Sequence, residues 1–290
     1  MGSHQEPTPT LPELISNRYK DTTPLDLNLN LDLDSSLTPS QLATLTTILT
    51  HRTIRTFHST PLPPSALPTL LASAQSASTS SMLQTYSILA IREPSHKATV
   101  AQLSGNQPFL HTAPLFLIFC ADLHRMSTLV TKYNQAGKPL EKIDMLLAAT
   151  IDASVAGQNV AIAAEALGLG ICFVGGVRNC AAELSEILRL PPRVFALFGV
   201  AVGYADASVE EGVKPRLPMR EVVHMETWDD SQQERDVERY DQVLGEHYNR
   251  YLKAGRKPWS EFEGRWHADG ILEGREGVKG VLEGQGFGLE

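Results

Sequence analysis

The stretch from Leu146 to Leu167 constrains this chain more than any other. Its length predicts a helix, and Ala148, Ala149, Ala153, Ala156, Gly157, Ala161, Ala163 and Ala164 spread small side chains around nearly its whole circumference. Small side chains let other elements approach closely on several faces, and a helix apolar on all sides belongs in the middle of a structure. Asp152, Gln158, Asn159 and Glu165 argue against a membrane span, because burying them in hydrocarbon without partners is costly. The segment therefore reads as a buried helix, either the centre of one subunit's core or an interface between two subunits. Asp152 and Glu165 read as hydrogen-bonded structural carboxylates rather than as acid–base catalysts.

Other elements arrange themselves around this helix. YSILAI from Tyr86, LFLIFCA from Leu115, ICFV from Ile171 and FALFGVAV from Phe195 are short apolar runs bounded by breakers, which predicts four sheet strands. Thr38-Pro39-Ser40-Gln41 carries the signature of a helix start, with Thr38 as the cap, and the helix is expected to run to about Leu49. A second helix is expected from about Pro64 to Gln75. Strands and helices mixed in this way imply an α+β fold of two or three layers. Residues 1–37 read as an N-terminal extension, with a short helix around Leu11 to Tyr19 and a segment at 25–33 whose leucines alternate with Asp and Asn. Residues 38–290 then read as a single domain, with a divergent C-terminal segment from about 225. The Gly-rich stretch after Gly264 is a poor helix former.

A formal net charge of -8 disfavours nucleic acid and anionic membranes as partners, since both demand a concentrated basic footprint. Cys120, Cys172 and Cys180 are too few and too irregularly spaced for a disulfide framework or a zinc site. All three read as free thiols of a reducing compartment. The first thirty residues lack a basic start followed by an apolar run, so the expected location is cytoplasmic. No G-x-S-x-G, H-E-x-x-H or C-x-x-C pattern is present, and no metal site is expected.

Two basic clusters stand out in this acidic chain: His51, Arg52 and Arg55 in one short segment, and Lys214 with Arg216 in KPRLP. Each reads as solvated surface charge or, taken together and with the Thr53 hydroxyl, as a site for a phosphate monoester. Three charge-assisted hydrogen bonds at roughly 1.5–3 kcal/mol each give about 5–9 kcal/mol gross, against at least about 4 kcal/mol for association. A tightly held phosphate ligand therefore also needs a large buried ring. Gly168 and Gly170 read as the helix stop, and the order helix then strand is opposite to a dinucleotide-binding turn. Gly175-Gly176, just past ICFV, read as an ordinary tight turn or as backbone open to a flat ligand.

HRTIR at 51–55, STSSMLQ at 78–84, SGNQ at 104–107, DASVAGQN from Asp152, GLGICFVGGVRN from Gly168 and KPRLP from Lys214 occur in one order and register. Together they resemble the oxygen-insensitive, FMN-dependent nitroreductases, in particular the NADPH-preferring branch that includes flavin reductases of luminous bacteria. The resemblance spans about Leu37 to His224. It implies a nitroreductase-type FMN-binding fold, a mixed central sheet flanked by helices, and an intertwined homodimer. By the same resemblance, His51, Arg52, Thr53, Arg55, Lys214 and Arg216 surround the FMN phosphate and ribityl chain. Ser80, Ser81, Gln84 and Gln107 match polar groups near the ribityl chain and ring, and Gly175 and Gly176 match backbone approaching the ring. Phe173 stands where the family usually has Tyr, and Thr53 where it often has Ser. Lys253, Arg256 and Lys257 fall near the loop that grips the NADPH 2'-phosphate.

The chemistry implied is a ping-pong reaction, in which NADPH, or NADH, reduces FMN and a small electrophilic acceptor (nitroaromatic, quinone or flavin) is then reduced. No catalytic side chain is required, because the reaction takes place on the flavin. Two other readings stay open on the sequence: a flavoenzyme of the same fold dedicated to C=C reduction or dehydrogenation, and a non-catalytic FMN-binding protein.

Overall fold

The computed structural model describes residues 9–20, 37–209, 212–251, 255–268 and 274–289. The leucine-alternating segment at 25–33 and Lys253 lie outside them. In chain order the first helices are α1 (Leu11–Tyr19), α2 (Pro39–Leu49) and α3 (Ala66–Gln75), followed by β1 (Tyr86–Ile91), α4 (Pro94–Leu103), α5 (Pro108–Thr112) and β2 (Leu115–Asp122). Then come α6 (His124–Lys132), α7 (Ile143–Ala166), β3 (Gly170–Val174), α8 (Ala181–Ile187) and β4 (Val194–Gly203), and finally α9 (Gln233–Tyr251), α10 (Trp259–Ala268) and α11 (Val278–Gly284). The chain divides into two compact units, Met1–Arg52 with Ser208–Ile271 and Thr53–Ala207 with Leu272–Glu290.

The second unit is built on the four predicted strands, which pair antiparallel in the order β1-β2-β4-β3. The sheet is antiparallel rather than mixed as expected, and only an isolated parallel bridge joins Thr53 to Ile171 at the β3 edge. All of β2 is buried, and its side chains alternate between two cores. Leu115, Leu117, Phe119 and Ala121 pack with residues of α3 and α7, whereas Phe116, Ile118 and Cys120 pack with residues of α4, α5 and α8. This unit is therefore a three-layer arrangement of helices, sheet and helices, and β2 reads as a continuous apolar run because neither of its faces meets water.

Within a single chain helix α7 is buried on one side, so the core-centre reading describes only part of its circumference. Ala149, Ala153, Ala156, Val160 and Ala164 are buried in the core. Ile143, Leu147, Ile151 and Val155, spaced four apart and hence on one face, are 44%, 54%, 56% and 38% exposed. Small residues face the sheet and α3, where close approach is needed, while the larger aliphatics form an outward stripe. The helix ends in a Schellman motif: Gly168 sits at φ 73° and donates to the Glu165 carbonyl at 2.9 Å, and Leu169 donates to Ala164 at 2.9 Å. Gly170 takes no part in that stop and is the first residue of β3, which corrects its sequence assignment. The Gly-rich tail also differs from expectation, because α11 forms across Gly280. Val281 and Leu282 pack on the core, and Phe287 beyond it is buried, which outweighs the helix cost of glycine.

In the first unit, α1 packs on α2 and α9 packs on α10. Thr38 and Gln41 form the expected reciprocal cap on α2, Thr38 N–H donating to Gln41 Oε1 at 2.7 Å and Gln41 N–H to Thr38 Oγ1 at 3.3 Å. On α9, Asp236, Tyr240, Val243, Leu244 and His247 make one buried stripe. Its one carboxylate, on Asp236, is met by both Arg220 nitrogens that face it.

Candidate functional site

Of the basic residues singled out in the sequence, His51, Arg52, Lys214 and Arg216 fall on two backbone segments of the first unit that share a single buried guanidinium, whereas Arg55 belongs to the second unit. Arg18, on α1, donates from Nη2 to the carbonyls of Leu49 at 2.6 Å and His51 at 2.7 Å, and from Nη1 to the carbonyl of Lys214 at 3.0 Å. The Arg216 N–H returns a bond to the Arg18 carbonyl at 3.1 Å. The His51-Arg52 segment and KPRLP, far apart in the chain, are thus held side by side. Arg216 is exposed, and its Nη1 donates to the carbonyls of Lys214 at 3.2 Å and Pro215 at 3.4 Å.

Behind these segments stands the α9 stripe. Tyr240 donates its hydroxyl to the Pro215 carbonyl at 3.3 Å. The Tyr248 ring carries two cations, with Lys214 Nζ 5.8 Å and the Arg256 guanidinium 5.0 Å from its centroid. Lys257 pairs with Glu261 at 2.8 Å. Buried His247, whose Nδ1 has no hydrogen-bond partner among the described residues, is held below the usual imidazole range by burial first and by Lys214 and Lys20 second.

In the second unit, the STSSMLQ segment is anchored by Asp152 of α7. One carboxylate oxygen accepts from the Ser80 N–H at 2.7 Å, and the other accepts from the Thr85 N–H and hydroxyl, both at 3.0 Å. Between these anchors Ser81, Met82 and Gln84 adopt left-handed backbone, with φ of 47°, 58° and 52°. Such residues each cost on the order of 1–3 kcal/mol, which the two anchored ends hold in place. Ser81, Met82 and Gln84 are exposed. An open cavity of about 540 Å³ is lined by Met82, Leu83, Gln84, Tyr86 and Arg125 among others. Arg125 closes one side of the loop by donating to the Gln84 carbonyl at 2.7 Å.

The segments holding Gln107 and the glycine pair meet in the same unit. A Cβ on Gly176 would lie 2.2 Å from the Ser104 carbonyl oxygen, so the close approach that requires glycine there is made by the chain's own backbone. Position 175 faces Arg178 and Arg275, whose Nη2 atoms would be 3.3 and 3.4 Å from a Cβ. Burial first, and then the neighbouring Arg275 charge, push the Arg178 guanidinium down from its ordinary value. Arg275 also donates from Nε to Asn179 Oδ1 at 3.0 Å. Phe173 is 40% exposed and tilts against Phe198 with ring centroids 5.5 Å apart. Thr53 bridges to Ile171, and Arg55 is exposed.

Sequence reasoning missed Arg18, Tyr248, His247 and Arg275. Arg18 offers only one sequence signal, its spacing after Leu11 and Leu14 on one face of α1. The other three carry no motif of their own.

Many known proteins are similar to this chain in sequence or fold. The nitroreductase family model matches residues 48–204, and the model of the nitroreductase family C-terminal domain matches residues 214–290. The chain is 40% identical over 223 residues to an FMN reductase (NADPH) of Bacillus subtilis, covering 75% of this chain and 88% of the relative. It is 35% identical over 219 residues to an NADPH-flavin oxidoreductase of Vibrio harveyi, covering 75% and 88% respectively. The solved structure of the NfrA1 nitroreductase from B. subtilis superposes with a TM-score of 0.78 at 36% identity, over 84% of this chain and 99% of that one. By motif, fold and homology alike, the chain belongs to the nitroreductase family.

Proposed function

We propose that this chain is an FMN-dependent oxidoreductase that takes reducing equivalents from NADPH, or NADH, and delivers them to a small electrophilic acceptor such as a nitroaromatic, a quinone or a flavin. The observation that carries this reading is the convergence of the His51-Arg52 and Lys214-Arg216 segments on Arg18. Four basic side chains on adjoined backbone make a donor set whose charge and hydrogen-bonding capacity fit a phosphate monoester. In the second unit, Ser80, Ser81, Gln84 and Gln107 are the proposed polar groups for the ribityl chain and ring, and Phe173 and Gly175 the proposed border of the ring, whereas Gly176 is packed against the Ser104 carbonyl. Thr53 and Arg55 continue the phosphate-binding segment. FMN, when bound, supplies the redox chemistry by accepting hydride and releasing electrons, and this chain's residues bind it, orient it and limit its access to water.

The reading is tested by Arg216→Glu, which sets a repulsive charge beside a dianion. At about 4 Å and an effective dielectric near 20 a unit charge pair is worth roughly 4 kcal/mol before screening, so FMN affinity should fall by orders of magnitude. The variant should fold yet purify pale. Retention of FMN at wild-type strength would place the phosphate elsewhere.

Arg256 and Lys257 are the proposed contacts for the NADPH 2'-phosphate. Neutralising both should raise KM for NADPH more than for NADH, and an equal response would sink that assignment. The exposed α7 stripe supports a homodimer, since a second copy would cover Ile143, Leu147, Ile151 and Val155. Light scattering should give twice the 31.7 kDa chain mass, and a monomer that keeps its flavin would contradict the dimer. Three free cysteines and a family of enzymes acting on small molecules fit a cytoplasmic location.

A further inference from the structure

Helix α1 precedes the residues matched by either family model, yet it contributes a side chain that joins the two basic segments. Its sequence is built to keep it folded and seated. Thr10 and Glu13 cap each other at the N-terminus, the Thr10 N–H donating to Glu13 at 2.8 Å. Lys20 closes the C-terminus in left-handed backbone at φ 54°. Leu11, Leu14 and Arg18 fall on one face, and all three are buried, at 7%, 2% and 6% exposure. The leucines therefore set the rotation that carries the guanidinium inward.

Once there, the guanidinium meets three backbone carbonyls. One belongs to Leu49, the last residue of α2, where the helix leaves carbonyls without internal partners and favours a cation. The other two belong to His51 and Lys214, both members of the proposed phosphate-binding set. The planar fork of arginine fixes the directions of its donors, so bonding His51 and Lys214 at once fixes the separation of their backbones.

We propose that Arg18 is a positioning residue for flavin phosphate recognition: α1 acts as a strap that sets the spacing of the His51-Arg52 and Lys214-Arg216 segments. This rests on the reading that those segments hold the FMN phosphate. Arg18 acts through the backbone carbonyls of Leu49, His51 and Lys214 that it holds. Its removal should therefore impair the part of flavin binding that depends on the phosphate and spare the part that depends on the ring.

The test compares full-length wild type with Arg18→Met, Arg18→Lys and Arg216→Glu, measuring affinity for FMN and for riboflavin by flavin fluorescence. Riboflavin lacks the phosphate, and its binding also reports that each variant is folded. Arg18→Met should lower FMN affinity about tenfold or more while riboflavin affinity stays within about twofold. Arg18→Lys, which keeps the charge but not the fork, should fall between Arg18→Met and wild type. If Arg18→Met binds neither flavin, the same intermediate loss of FMN over riboflavin in Arg18→Lys carries the proposal, and its absence overturns it. An unchanged FMN-to-riboflavin ratio in both Arg18 variants, with Arg216→Glu impaired, overturns the strap alone. Unimpaired FMN binding in Arg216→Glu removes the phosphate site and the strap with it.

Discussion

Two buried charges organise two different regions of this molecule, and they do so with opposite polarity. In the first unit the Arg18 cation gathers three backbone carbonyls, and in the second the Asp152 anion gathers two backbone N–H groups and a hydroxyl. Backbone dipoles, joined at Asp152 by one Thr hydroxyl, meet both charges, and through them each charge shapes a loop. The difference lies in what is left behind when the charge is removed. Buried N–H groups that lose their only acceptor are costly, whereas carbonyls, with two lone pairs, tolerate partial satisfaction better.

The largest effect is therefore expected at Asp152. Asp152→Ala orphans the Ser80 and Thr85 donors and leaves three left-handed residues without an anchor, and should lower unfolding free energy by about 3–5 kcal/mol in chemical denaturation. Arg18→Met should cost less, about 1–2 kcal/mol, because the methionine refills much of the space and the cost of burying a charge disappears. Arg18→Lys should be milder still, at about 0.5–1 kcal/mol. A greater loss of stability in Arg18→Met than in Asp152→Ala would break the comparison. A flavin effect following the opposite order to stability, with Arg18 controlling the FMN-to-riboflavin ratio and Asp152 leaving that ratio unchanged, would sharpen it.

Much of this was legible in the residues themselves. The Thr38-Gln41 cap, the Leu11–Tyr19 helix and all four strands follow from local pattern, because short-range bonding and alternation decide them. Asp152 as a hydrogen-bonded structural carboxylate also follows, since a carboxylate in so apolar a segment must find donors. Arg18 does not follow, because an arginine near the end of an amphipathic helix looks like solvated charge until the carbonyls it meets are known. Those carbonyls belong to residues 31, 33 and 196 positions away and leave no trace in side-chain identity. The cover of α7 stayed open between one subunit's core and a subunit interface for a related reason: an apolar side chain does not declare whether its cover comes from its own chain. Gly170 was misjudged because a glycine two residues past a helix end reads as part of the stop, although here it already belongs to the strand.

The separation of 196 positions from Arg18 to Lys214 also sets a timetable. A nine-residue helix is marginal without tertiary support, and the first unit is discontinuous, interrupted by Thr53–Ala207. During synthesis at about 5–20 residues per second, Arg18 therefore emerges on the order of 10–40 s before its last acceptor exists. In that interval the intervening strands and α7 can already pair, and the beginning of the chain waits for its own far end.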